Sequence, residues 1–243
     1  MNENITAGVD ESGIEIKCSY TNENVITIFT VGLLVKGKTK ESTFFTIVTF
    51  VPGVGTSINP SGEYLSDRIT MTNITQESTE AAMIFKQIKC TDQNQYRCKV
   101  TYLNANSDPD TEMSLPTTII VKVPPTKPHS LSIRGTVVSL SETDNATFIC
   151  KGNVGRPPGK FIWRKRRSED NFPEIYAHEK TNYTKLEESC LYEGLSALTI
   201  TLSDKDNQAV ISCAVESLMS HDAMFVNTLP IDVLCKYFIL NCR

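Results

Sequence analysis

The chain lays down one cysteine frame twice. Cys18 and Cys98 bracket the first half, which closes on Asp92-Gln93-Asn94-Gln95-Tyr96-Arg97-Cys98. Cys150 and Cys213 bracket the second half, with Trp163 thirteen residues after Cys150. All four cysteines sit in β-type segments. Widely spaced pairs of that kind suit two facing sheets pinned by a disulfide. Between the frames lies Val123-Pro124-Pro125-Thr126-Lys127-Pro128. Prolines at this density cannot continue a ladder and favour a stiff extended connector. The boundaries read as residues 1–123, residues 124–235 and a tail, 236–243.

Stretches rich in Thr, Val, Ile and Phe, with turn residues every 8–12 positions, make the chain all-β. No segment holds a 3.6-residue apolar period, so no long helix is expected. The first half predicts strands near 14–20, 25–35, 43–51, 67–73, 81–88, 95–103 and 115–122. The second predicts 129–133, 136–141, 145–151, 160–166, 195–202, 208–216 and 224–234. Tyr96, Cys98 and Val100 share one face by alternation, as do Ala146, Phe148 and Cys150. Asp108-Pro109-Asp110 reads as the turn between the last two strands of the first half.

These features resemble the immunoglobulin superfamily, which implies two tandem immunoglobulin-like β-sandwiches. Each would be closed by its own disulfide, Cys18–Cys98 and Cys150–Cys213, at on the order of 4 kcal/mol apiece in the chain-entropy model. The longer first interval, 80 positions against 63, leaves room for extra strands. It matches a variable-type sandwich, and the shorter one a constant- or intermediate-type. Tyr96 stands where a tyrosine corner is expected, two residues before Cys98. The resemblance implies a salt bridge between Arg68 and Asp92 across the bottom of the first sandwich, and a buried core role for Trp163. The chain departs from the family in two places. The first half has no Trp, so Leu33 or Val31 is expected to fill that core position, and Ile211 stands where a second tyrosine corner would be. More narrowly, Cys90 just before the Asp92 turn is similar in placement to invertebrate immunoglobulin-type surface and haemolymph proteins.

Eight cysteines without Cys-x-x-Cys or zinc-spaced histidines fit disulfides and an oxidising compartment. Cys90, Cys190, Cys235 and Cys242 are surplus to the two frames. Cys235 with Cys242, or Cys190 with Cys235, are open pairings, and Cys90 is open to an intermolecular bond or a free thiol. The net charge of −4 argues against nucleic acid. Residues 1–20 open polar, and the apolar tail from Val233 to Leu240 is short and broken by Lys236. A secreted form would have its leader removed ahead of this sequence, and a membrane-bound form its anchor beyond Arg243. Neither a Gly-x-Ser-x-Gly elbow nor a dinucleotide fingerprint is present. His129, His178 and His221 lie far apart, so no enzyme activity, metal or cofactor is expected.

That leaves recognition. Val25–Val35 and Phe44–Val51 are apolar on both faces, unlike a strand with one wet side. Ile28, Leu34, Phe45 and Ile47, or their alternating neighbours, are therefore expected to form a patch that binds a protein ligand or a second copy. Asn4, Asn73, Asn145 and Asn182 begin N-glycosylation sequons. Arg164-Lys165-Arg166-Arg167 fits a sulfated-glycan or protease site, or the solvated end of a strand. The function expected is an extracellular recognition or cell-adhesion module, cell-surface or secreted, acting through its first domain. The alternative is the immunoglobulin arm of a secreted immune lectin.

Overall fold

A computed structural model describes residues 4–37, 43–135, 140–186 and 190–234. The chain forms two compact units, Met1–Lys122 and Val123–Arg243. In the first, the described residues form β1 (Ile5–Gly8), β2 (Ile14–Ser19), β3 (Val25–Lys36), β4 (Phe44–Val51), β5 (Gly55–Ile58), β6 (Ile69–Met71), β7 (Glu80–Phe85), β8 (Gln95–Asn104), β9 (Pro109–Met113) and β10 (Thr117–Lys122). One sheet runs β1-β10-β8-β3-β4-β5, with β9 also on β8, and the other runs β2-β7-β6. Ile16, Leu33, Phe50, Met83, Phe85 and Tyr96 are fully buried and fill the core of this unit. Cys18 on β2 and Cys98 on β8 are bonded across the core, with Cα atoms 5.8 Å apart.

The second unit forms β11 (Ser130–Ile133), β12 (Leu140–Ser141), β13 (Asn145–Asn153), β14 (Phe161–Arg166), β15 (Glu174–Tyr176), β16 (Thr181–Leu186), β17 (Leu191–Thr201), β18 (Val210–Val215), β19 (Val226–Asn227) and β20 (Val233–Leu234). Its main sheets are β11-β13-β17-β16 and β15-β14-β18-β19, and β12 pairs with β20. Phe148, Phe161, Trp163, Leu198 and Ile211 pack between them. Cys150 and Cys213 are bonded at a Cα separation of 6.5 Å. At Gly155 (φ +79°) a Cβ would also meet the Val123 carbonyl and the Pro125 nitrogen, so the chain entering this unit needs a glycine there.

Several expected segments come out differently. β1, β5, β15 and β16 were not foreseen, being short, polar or both. Pro109 opens β9 instead of making a turn, as proline can at the first residue of an edge strand. The turn falls earlier, with Ser107 at φ 63°. The strand expected over 224–234 is broken into β19 and β20 around Pro230, which cannot donate to a ladder. Of the strand expected over 136–141, residues 136–139 lie outside the described residues. So do Cys235, Cys242 and the tail from 235.

Candidate binding surface

Of the four residues expected to make a surface patch, three are inside. Ile28, Leu34 and Ile47 are 2%, 4% and 0% exposed, and Phe45 alone is open at 44%. The cause is local irregularity that a two-residue period does not anticipate. Opposite the Leu33/Leu34 step β4 carries an extra residue, Ile47, between Val48 and Thr46. The turn Pro60–Leu65 then covers it. Asn59 N donates to the Ile47 carbonyl at 2.8 Å, and a Cβ at Gly62 would collide with that same carbonyl. Ile28 faces the core at a register paired with Tyr102.

Two further shifts on β3 produce a different apolar surface. The pairing with β8 skips Ile26 and Phe29, each the extra residue of a bulge. A bulge re-aims the side chain it carries, and these two are 54% and 42% exposed. This half of β3 also overhangs β4, whose pairing begins only at Val31. The backbone edge left open at Ile28 is closed by one side chain. Gln76 Oε1 accepts from Ile28 N at 2.9 Å, and its Nε2 donates to Ile28 O at 3.0 Å. The loop holding Gln76 is itself tied down by Asn22 Nδ2, which donates to the carbonyls of Gln76 and Ser78. It also receives Gly53 N on the Ile74 carbonyl at 2.8 Å, beside the exposed Val54. Phe45 belongs elsewhere. It pairs with Val35, six positions along β3 from Phe29, or about 20 Å at the usual strand rise. There it lines a cleft with Tyr64, Lys36, Lys89 and Arg68.

The Val35 end of β3 lies beside a buried ion pair. Arg68 grips Asp92 with both terminal nitrogens, Nη2–Oδ2 at 2.6 Å and Nη1–Oδ1 at 3.3 Å, and Asp92 is fully buried. Tyr96 Oη donates to the Asp92 carbonyl at 2.9 Å. Burial above all, then the nearby Tyr64 and Asp92, pushes the Tyr96 phenol far above its ordinary range. In the second unit Trp163 is fully buried and donates Nε1–H to Ser196 Oγ at 3.0 Å. Leu33 holds the same register in the first unit. It pairs with Cys98 as Trp163 pairs with Cys213.

The basic run is consumed by the fold. Arg164 meets Asp222 at 2.6 Å and lies over the Phe225 ring. Lys165 is 5% exposed and meets Asp206 and Glu174, and Arg167 meets Asp206 at 2.9 Å. Only Arg166 of the four is exposed. His129 stands 3.4 Å from a single carboxylate, Glu193. Among the described residues no group of three His, Cys, Asp or Glu is placed to hold a metal ion, and no helix is long and apolar enough to cross a membrane. Cys90 and Cys190 are both disulfide-bonded, which removes the free-thiol reading of Cys90. Asn4, Asn73, Asn145 and Asn182 are all exposed.

No family model and no curated protein matches this sequence. Solved structures do. The two-domain fragment Rst D1-D2 superposes with a TM-score of 0.60 at 15% identity, over 96% of both chains. The Ig1-Ig3 ectodomain of mouse nectin-like molecule 4 gives 0.51 at 14% identity, over 96% of this chain and 67% of that one. The fold is therefore two tandem immunoglobulin-like sandwiches.

Proposed function

We propose that this chain is an extracellular recognition and adhesion module, and that it binds a protein ligand, a second copy or another chain, through its first unit. The first unit reads as variable-type and the second as constant- or intermediate-type, a spacer. The observation that carries this reading is the pair of bulges that lift Ile26 and Phe29 into solvent on a strand whose backbone is locked. Exposed apolar side chains on a backbone already held by hydrogen bonds desolvate on contact with less ordering cost than on a free loop. The disulfide frames suit an oxidising compartment, and the solved structures of like fold include the ectodomain of a nectin-like molecule.

The test is bead aggregation and cell binding with the secreted chain displayed in many copies. Wild type should cluster with itself or bind cells in a protease-sensitive way. The double change Ile26→Asp, Phe29→Asp should abolish this, and Phe45→Asp, about 20 Å away along β3, should not. Equal binding by the double variant, with its fold intact by circular dichroism, overturns the assignment.

A further inference from the structure

The second unit's sheet β11-β13-β17-β16 buries one face and leaves the other bare. Ala146, Phe148 and Cys150 on β13 point inward, as do Ser196, Leu198 and Ile200 on β17. The opposite residues make a surface of hydroxyls with an apolar centre. Leu195 is 38% exposed, and Ile149 and Ala197 are half-buried. Two sequon asparagines lie on this same outer face. Asn182 completes one row across the sheet, Ser130, Lys151, Leu195 and Asn182. Asn145 pairs with Thr201 at the other end of β17. Thr201 lies six positions along β17 from Leu195, about 20 Å, so the asparagines bracket Ile149 and Ala197, with Leu195 beside Asn182.

The free edge of this sheet adds a second reason for cover. Among the described strands β16 pairs only with β17. Together with β2 it is the longest edge strand, at six residues. β2 carries Glu15 and Lys17, and β9 carries Pro109, Asp110 and Glu112, devices that discourage strand addition. β16 reads Thr-Asn-Tyr-Thr-Lys-Leu, with one charge, and exposes Tyr183 and Leu186 at 56% and 39%. An edge rich in β-formers with a single charge is a weakly guarded template for pairing with another chain. What it has besides Lys185 is Asn182.

We propose that Asn182 and Asn145 carry N-linked glycans that shield this outer face and the β16 edge. The proposal rests on the extracellular reading but not on the choice of Ile26 and Phe29. The amide nitrogens are available. Asn182 makes no side-chain hydrogen bond among the described residues, and Asn145 spends only Oδ1, accepting from Thr201 Oγ1 at 2.8 Å. In the transfer, Nδ2 bonds to the anomeric carbon of an oligosaccharide held on a lipid pyrophosphate. The bond from that carbon to the pyrophosphate oxygen breaks, the pyrophosphate leaves with the electron pair, and Nδ2 loses one proton. A hydrated oligosaccharide on Asn182 stands over Leu195 and beside the open edge, where no neighbouring strand can then align.

The experiment is expression of the full chain through a eukaryotic secretory pathway. Peptides are mapped after enzymatic deglycosylation in 18O water, which marks each occupied asparagine. Both Asn145 and Asn182 should be marked, and an unmodified Asn182 overturns the proposal. The variant Thr184→Ala, which removes the sequon and keeps the asparagine, should show concentration-dependent association by light scattering, and a further Tyr183→Lys on the edge should reverse it. A Thr184→Ala protein as monomeric as wild type also overturns it. If that variant is not secreted, native enzymatic deglycosylation of the wild type makes the same comparison. Loss of ligand binding in the Ile26, Phe29 variant would leave this occupancy pattern unchanged, so the two readings fail separately.

Discussion

Both units bury an aspartate at the foot of the sandwich, and they neutralise it in different ways. Asp92 and Asp206 each sit in a short 3-10 turn just ahead of the strand that carries the second cysteine. Each accepts the backbone N–H three residues back, from Lys89 at 2.7 Å and from Ser203 at 2.9 Å. The cation then comes from different places. In the first unit it is Arg68, just ahead of β6, arriving as a two-pronged fork. In the second it is Lys165 and Arg167, from β14 and the residue after it, with Ser203 Oγ as a further donor. A buried carboxylate needs its charge met and its lone pairs filled. Where that help comes from is left to the rest of the chain.

The largest expected difference follows from how deeply the cation left behind is buried. Lys165 is 6% exposed at its side chain and keeps the half-exposed Glu174 at 3.2 Å, and Arg68 is 16% exposed and keeps the Gln87 carbonyl at 3.3 Å. Removing one partner of a buried pair costs about 3–5 kcal/mol. Asp206→Ala should lie in that range, and Asp92→Ala at or below its lower end. Chemical denaturation measures the first through Trp163 fluorescence, because the only tryptophan is in the second unit. Circular dichroism is needed for the other. Equal losses would mean that the two feet are energetically the same despite their geometry.

Next comes the central core position. Trp163→Ala should cost about 3–5 kcal/mol and Leu33→Ala about 2–5, by lost burial and the cavity left behind. The informative change is Trp163→Leu, which makes the second unit like the first. It leaves Ser196 Oγ without its Nε1 donor at 3.0 Å as well as a void. If Trp163→Leu together with Ser196→Ala recovers part of the loss, the hydrogen bond is a separable contributor.

These features were legible in sequence to different degrees. The four frame cysteines, Trp163 and Tyr96 could be placed because their chemistry is rare and their spacing to a cysteine is short, whereas the pairing of Arg68 with Asp92 came only through the resemblance. The exposed ridge could not. Ile26 and Phe29 differ from Ile28 and Leu34 only by bulges, and nothing in Val-Ile-Thr-Ile-Phe-Thr marks where a ladder skips a residue. Lys165 was equally hidden. In a run of four cations it resembles a solvated face, and what buries it is a carboxylate more than forty positions away. Gln76 carries no signal in sequence as the residue that closes the edge at Ile28, because an exposed loop glutamine has no distinctive spacing.

Acid should act on the second unit through Asp206. Burial alone would raise the Asp206 carboxyl, but hydrogen bonds from Ser203 N and Oγ, Lys165 and Arg167 outweigh it and hold the group below its ordinary value. A depressed folded pKa means stability that is present above the unfolded value, near 3.9, and lost as pH falls through the folded one. The fluorescence-detected midpoint should therefore fall from about pH 4 downward, and Asp206→Asn should start lower and stay flatter over that window. An unchanged acid slope in the variant would assign the loss to other carboxylates.

The smallest effect is expected at Tyr96, which has no counterpart because Ile211 holds the equivalent place, two residues before Cys213. Its Oη donates to the Asp92 carbonyl at 2.9 Å, so Tyr96→Phe should cost the first unit about 1 kcal/mol. The fluorescence transition of the second unit should not move. The phenol also sets an alkaline limit of opposite sign to the acid limit of Asp206. Its folded pKa is raised, chiefly by burial, so the stability it supports is complete below the unfolded value near 10 and declines as pH rises beyond it. Tyr96→Phe removes that decline along with the hydrogen bond, so the variant should be weaker than wild type at pH 7 and should close the gap above pH 10. No gap between variant and wild type at pH 7 would show that the ring's packing, and not its hydroxyl, is what the first unit needs and the second does without.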